Sequence, residues 1–211
     1  MAIVHAVRHG QVDNPARVLY ERLPGYHLSA TGRAMAELTA AYLATYPASA
    51  LWCSPLERAQ ESMAPIAARF PELAVVTDVR LIEAGNVFAG QIMGSTAEAA
   101  KSPKQWPHLR NPFRPSWGEP YTTIAARMIA AITDLATELG PDGQGVAVSH
   151  QLPIWVARRW VEGRHLWHDP RRRQCTLSSV TSFTVTNGVI TDIEYAEPAA
   201  SLLGTTPHFG F

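Results

Sequence analysis

Four short stretches of this chain carry residues suited to nucleophilic, acid–base or anion-binding chemistry. Arg8-His9-Gly10 closes the apolar run Ile3-Val4-His5-Ala6-Val7 and opens the polar loop Gln11-Val12-Asp13-Asn14-Pro15. Cys53-Ser54-Pro55-Leu56-Glu57-Arg58 closes a second apolar run, and Ser149-His150-Gln151 closes another. Glu83 lies just past a further run, in Leu81-Ile82-Glu83-Ala84-Gly85. Arginine offers a planar fork that matches phosphate oxygens. Histidine serves as nucleophile, base or ligand. Glycine lets backbone approach a ligand closely.

Together these groups suit phosphoryl chemistry. Arg8 and Arg58 bind and neutralise a tetrahedral dianion. One histidine, neutral, attacks phosphorus, and the other donates to an oxygen as charge shifts in the transition state. A carboxylic acid at Glu83 protonates the departing oxygen and later takes a proton from water. The helix beginning near Pro55 adds its positive N-terminal end. Each residue also has a plain structural reading. His9 and His150 suit satisfied core histidines, Arg58 suits a surface pair with Glu57 or Glu61, and Glu83 suits a turn cap. Those readings must account for four separate strand-end placements at once.

The elements that would position these groups follow from periodicity. Residues 3–9 read as a buried strand, and 10–30 as a loop rich in Pro, Gly and polar groups. After Thr31-Gly32, Met35, Leu38, Tyr42, Leu43 and Tyr46 share one helical face up to Pro47. A second strand covers 48–53, a helix 56–70 with a kink at Pro65, and a third, β-branched strand 73–79. Residues 84–120 hold five prolines together with Trp106, Phe113 and Trp117, and read as a long insertion. A lid over the leaving group and a plain surface flap are equal readings of it, with one short helix near 96–101. Ile124, Met128, Ile132, Leu135 and Leu139 mark a strong helix over 121–139. A strand at 145–149 precedes a helix with Pro153 in its first turn. Strands at 180–185 and 189–195 flank the hairpin turn Thr186-Asn187-Gly188.

This alternation predicts one α/β domain over 1–211: a three-layer α/β/α sandwich with a mostly parallel sheet, an antiparallel edge strand and the insertion. In such a sheet all four stretches converge on the rim beyond the strands' carboxyl ends.

Composition narrows the partners. The chain has 211 residues, 46 % hydrophobic and 17 % charged, with 18 basic and 18 acidic side chains. That is a globular balance, and it argues against a general nucleic-acid or membrane surface. Cys53 and Cys175 show neither metal-ligand spacing nor a disulfide framework, so a cytoplasmic setting is expected. No signal-peptide or membrane-spanning pattern is visible. His5 reads as packing. His27, His108, His165, His168 and His208 lack a metal-binding context, so no metal and no cofactor is expected. The run Arg171-Arg172-Arg173 reads as a solvated face or as a contact to an anionic substrate.

These residues resemble the histidine phosphatase superfamily, the phosphoglycerate-mutase-like fold. The resemblance rests on Arg8-His9-Gly10, Leu28-Ser29-Ala30-Thr31-Gly32 with Ala36, Ser54-Pro55-Leu56-Glu57-Arg58-Ala59, Leu81-Ile82-Glu83 with Gly90, Gly118-Glu119 and Val148-Ser149-His150. They occur in the family's order across roughly residues 3–185. The resemblance implies that His9 is the phosphorylated nucleophile and that Arg8, Arg58 and His150 form the phosphate pocket. It implies Glu83 as the acid/base residue, and no metal. Three departures stand out. Gln151 replaces a usual glycine, Val12 stands where a hydroxyl residue is common, and Pro15 occupies the mutases' asparagine position, with Asn14 one residue earlier. Gln151 and Asn14 are candidate contacts to the phosphate.

The expected function is a metal-independent phosphomonoesterase acting on a small phosphorylated metabolite through phospho-His9. The alternatives are a phosphoglycerate-type mutase and a catalytically silent phosphate-binding module. Monomer and homodimer both stay open.

Overall fold

In the computed structural model, described over residues 1–92 and 118–204, the chain winds six strands into one sheet. The strands are β1 (Ala2–Arg8), β2 (Ala48–Cys53), β3 (Val75–Thr77), β4 (Gln144–Ser149), β5 (Val180–Thr186) and β6 (Val189–Ala196). The helices are α1 (Ala30–Leu43), α2 (Glu57–Ala67), α3 (Tyr121–Leu139) and α4 (Gln151–Val161). The sheet order is β3-β2-β4-β1-β5-β6. β1 to β4 run parallel, and β5 is the one reversed strand, set one place in from the β6 edge. Asn187 and Gly188 both take positive φ in the turn between β5 and β6, as a tight hairpin requires.

Strand alternation feeds two cores. Val4 and Ala6 of β1 face α3 and α4, where Met128, Ile132, Leu135 and Ile154 bury. Val7 faces the other way, onto Leu43, Met63 and Ile66 of α1 and α2. The result is the expected three layers. His5 lies between Ser182 and Gln144, with its ring nitrogens 2.8 and 3.0 Å from their side-chain oxygens. It is a packing residue.

Three elements differ from expectation. The third strand is only Val75–Thr77, because Asp78 turns the chain. Its side chain accepts from the Arg80 N–H (2.7 Å) and caps the 3₁₀ turn Val79–Leu81. The valines suggested a longer strand, but at this sheet edge they stay exposed. α1 starts earlier, at Ala30, with Ser29 as its N-cap (Gly32 N to Ser29 Oγ, 3.0 Å). Its buried face runs through Met35, Ala36, Thr39 and Ala40, so Leu38 is exposed. Small residues there let α1 and α2 approach closely. The short helix near 96–101, and most of the insertion with Trp106, Phe113 and Trp117, lie outside the described residues.

The loop after β1 is clamped onto α1. A Cβ on Gly32 would sit 1.9 Å from Gln11 O, and one on Gly10 would sit 2.4 Å from Gly32 O. Neither oxygen is a movable side chain. Gly32→Ala therefore forces the loop off the helix, and we expect urea unfolding to show a loss of about 2–3 kcal/mol. A loss below about 0.5 kcal/mol would mean that the clamp yields freely.

Candidate active site

The parallel register builds the site. Arg8 pairs with Ser149, and Cys53 with Val148, so β1, β2 and β4 end side by side. His9, Ser54 and His150 are the next residues of those strands. Backbone bonds continue the ladder there: His9 N to Ser149 O is 3.2 Å, and Ser54 N to Val148 O is 2.9 Å. The rim thus gathers Arg8, His9 and His150, and Arg58 joins them from the first turn of α2. All four side chains are buried.

His9 is held in one tautomer. Its Nδ1 lies 2.8 Å from Gly10 O, which can only accept, so Nδ1 carries the proton. Arg58 Nε donates to His9 Nε2 at 3.3 Å, which leaves the lone pair on Nε2. Burial, then the charges of Arg58 and Arg8, hold the His9 pKa well below its ordinary value. The imidazole is neutral and nucleophilic at physiological pH. The His150 ring packs edge-on to that of His9, with centroids 5.1 Å apart. Its Nε2 is 2.7 Å from Ser54 Oγ. Burial, then Arg58 and His9, keep His150 neutral as well.

Among the described residues, neither arginine at the rim meets a carboxylate. Arg8 donates through Nη1 to Cys175 O (2.7 Å), and Arg58 through Nη2 to Glu21 O (2.5 Å). Arg58 also stacks over Tyr20, 4.7 Å from the ring centroid. Elsewhere Arg22, Arg80, Arg127 and Arg158 each pair with a carboxylate. Among the described residues, Arg8 Nε, Arg58 Nη1 and His150 Nδ1 are buried with no hydrogen-bond partner. Unpartnered nitrogens and uncompensated positive charge at one strand rim fit an anion with several oxygens.

Glu83 is positioned by a backbone truss. Ser149 Oγ donates to Leu81 O (2.7 Å), and Arg127 Nη1 donates to Arg80 O (2.5 Å). Arg22 Nε donates to Glu83 O (2.6 Å). Glu119 in turn holds Arg22 and Arg127 at 2.7 and 2.8 Å. Gly118 is required where the chain passes Gly85, since a Cβ there would lie 2.8 Å from Gly85 O. Glu83 Oε1 accepts from the Ala84 N–H (2.8 Å), the turn-capping contact open from sequence. The truss sets Glu83 on the turn that Ser149, the last residue of β4, ties to the rim.

Two sequence candidates are placed elsewhere. Asn14 closes its own loop: its amide nitrogen donates to Val18 O (2.8 Å) and its oxygen accepts from Val18 N (2.9 Å). Gln151 is buried but turned toward Cys175 O, to which Nε2 donates at 3.1 Å. Its Oε1 accepts from Arg173 Nη1 at 3.2 Å. Arg58 does not form the surface pair that Glu57 or Glu61 offered. Those two instead hold Gly25 N and, on Glu61, Leu28 N and His27. Ser62 ties the site together, accepting from Gly10 N (3.1 Å) and donating to Arg58 O (2.7 Å).

Glu21 is a site residue that sequence reasoning missed. It sits at φ +38°, which aims its carbonyl at Arg58. Burial, then the charge of Glu83, push its carboxyl up to about 8. Asn86 at 3.5 Å, and the charges of Arg58 and Arg173, oppose the rise. A carboxyl raised on folding contributes stability that is complete below its unfolded value of 4.5 and lost as pH rises through about 8. Glu21→Gln removes that dependence. Wild type and variant should match in stability near pH 5, and the variant should be roughly 2 kcal/mol more stable at pH 9, part of the shift being screened by solvent. Parallel curves in urea across that range would count against this account.

Among the described residues, no group of three or more His, Cys, Asp and Glu is arranged to hold a metal ion. No described helix is long and apolar enough to cross a membrane.

Comparison with known proteins agrees with this geometry. A Mycobacterium tuberculosis protein, Rv0525, is 53 % identical over 197 residues, covering 93 % of this chain and 96 % of its own. YhfR of Bacillus stearothermophilus superposes with a TM-score of 0.73 at 20 % identity, over 90 % of this chain and 95 % of that one. The mycobacterial glucosyl-3-phosphoglycerate phosphatase Rv2419c superposes at 0.70 and 23 % identity, over 92 % and 95 %. The family model of the histidine phosphatase superfamily, branch 1, matches residues 4–195, from the first strand to the last, and the chain belongs to that superfamily.

Proposed function

We propose that this protein is a cytoplasmic, metal-independent phosphomonoesterase that hydrolyses a small phosphorylated metabolite through a phosphohistidine on His9. The observation that carries the reading is the Nε2 lone pair of His9, fixed by Gly10 O and Arg58, at a rim with two buried arginines that have no carboxylate partner among the described residues. Arg8 and Arg58 take the phosphate oxygens. Ser54, donating to His150 Nε2, puts the proton on Nδ1, and this unpartnered nitrogen donates to a phosphate oxygen. His9 Nε2 forms a bond to phosphorus as the ester P–O bond breaks, and Glu83, entering the step in its carboxylic acid form, gives its proton to the leaving oxygen. Glu83, now a carboxylate, takes a proton from water. The hydroxide displaces His9, the N–P bond breaks, and phosphate leaves with the imidazole neutral again. Glu21, protonated through neutral pH, keeps a second negative charge from building beside Glu83 once Glu83 has given up its proton.

Two features favour hydrolysis over mutase chemistry. The Asn14 amide is spent on Val18, so Asn14 is not free to grip a phosphate kept from water. Gln151 points at Cys175 O and Arg173, which leaves the phosphate pocket clear and weighs against a silent module. The test is phosphate release, with chelator present, from aryl, sugar, nucleotide and phosphoglycerate esters. Chelator-resistant release supports the reading. Isomerisation outrunning release would return the mutase, and binding without turnover the silent module.

A further inference from the structure

Arg173 is a third arginine at this site, and it is held in an unusual way. Its Nε donates to His168 Nε2 (2.9 Å) and its Nη1 to Gln151 Oε1 (3.2 Å). Both acceptors are neutral. His168 donates from Nδ1 to Leu166 O (2.6 Å), so Nε2 bears the lone pair. Burial holds the His168 pKa at about 4, so the ring stays an acceptor at physiological pH. The guanidinium is therefore fixed in place without being neutralised. Among the described residues it has no ion pair, whereas Arg171, two positions earlier, spends its charge on Asp169. Arg173 Nη2 makes no hydrogen bond among the described residues.

Gln151 links this arginine to the phosphate pocket. Its amide spans from Arg173 to Cys175 O, and that same carbonyl accepts from Arg8. The charge of Arg173 is felt at Glu21, and Arg173 in turn feels Glu83 and Arg8. Through Gln151 and the Cys175 carbonyl it is fixed beside Arg8 at the border of the phosphate pocket, within reach of the part of a substrate that extends beyond the phosphoryl group. Two arginines serve the phosphoryl group, and a third, at that border, carries a further charge with no ion pair among the described residues.

We propose that Arg173, positioned by Gln151 and His168, determines specificity by binding a carboxylate on the leaving-group part of the substrate. This rests on the phosphatase reading above and deepens it. A single fixed guanidinium matches a single carboxylate in charge and in the N–H donors left to it, one on Nη1 and two on Nη2. The glutamine after the second rim histidine then has a physical purpose, since a glycine there could not hold Arg173. Arg173 and Gln151 differ in kind: Arg173 touches substrate, and Gln151 acts through it.

Matched esters test this: phenyl phosphate against 4-carboxyphenyl phosphate, and ethyl phosphate against phosphoglycolate. Wild type should favour the carboxylated member by about 10–100-fold in kcat/KM, mostly through KM. Arg173→Met should remove the preference, lowering kcat/KM on the carboxylated member of each pair at least about tenfold more than on its plain partner. Arg173→Lys should restore part of it. Gln151→Ala should lower the preference at least about fivefold, and this variant gives the reading if the methionine variant does not fold. No preference in wild type, or equal losses on both members, overturns the proposal. If neither member is hydrolysed, the phosphatase reading fails by itself. Titration calorimetry with the same esters then decides: tighter binding of the carboxylated member, lost in Arg173→Met, sustains the inference, and equal binding ends it.

Discussion

His9→Ala lowers phosphate release by about 10⁵-fold or more and leaves a folded protein. The size follows from the step removed. Without the imidazole, water must attack phosphorus directly, and the aligned Nε2 lone pair has no substitute: Arg58 Nε only donates, and His150 Nε2 is engaged by Ser54. The fold should bear the change. The His9 side chain donates one hydrogen bond to Gly10 O and accepts a long one from Arg58 Nε, so the expected loss is about 1–3 kcal/mol. Acid-quenched wild type mixed with substrate should carry an acid-labile phosphoryl group that the variant lacks. A variant that keeps more than about a hundredth of the rate would move the nucleophile to water and reduce His9 to a phosphate contact.

Much of this site was legible in the sequence for a geometric reason. Parallel strands in register end together, so Arg8-His9, Cys53-Ser54 and Ser149-His150 had to meet once the alternation of elements was read. Arg58 followed, because it lies in the first turn of the helix after β2. Residues that arrive by irregular backbone were not legible. Glu21 reaches the pocket through a positive φ and a carbonyl bond to Arg58, and its neighbours Tyr20 and Arg22 form no motif with it. The purpose of Gln151 depends on Arg173, 22 residues further on, and on His168, which looked like any loop histidine. Asn14 shows the converse: its position in the sequence could not reveal what its amide holds. It has a phosphate-binding chemistry and a suggestive position, but the loop's own need for Val18 claims both ends of its amide. β3 fell short because a capping aspartate outweighs a preference for strand.

Arg58→Met should give a protein that is more stable and nearly inactive. Arg58 is among the largest fully buried side chains, and its cation lies near that of Arg8 with no carboxylate paired to it among the described residues. Burial already pulls its pKa down, and Nη1 has no partner. In the empty protein such a charge is a burden of several kcal/mol, offset by Tyr20 and Glu21 O only in part. Methionine fills similar space, packs on Tyr20 and carries no charge. We expect a gain of about 1–2 kcal/mol in urea, together with a fall in turnover of about 10³-fold. Phosphate or vanadate should raise the melting temperature of wild type and leave the variant's unchanged, because the anion removes in wild type the strain that the substitution removes permanently. Arg58→Lys separates charge from shape: it keeps the cation and loses the fork, so it should be inactive by about 10²-fold without any gain in stability. A methionine variant less stable than wild type would mean that the bond to Glu21 O, which pins the loop following β1, outweighs the buried charge. The site's positive potential would then be held in place by the loop rather than imposed on the fold at its expense.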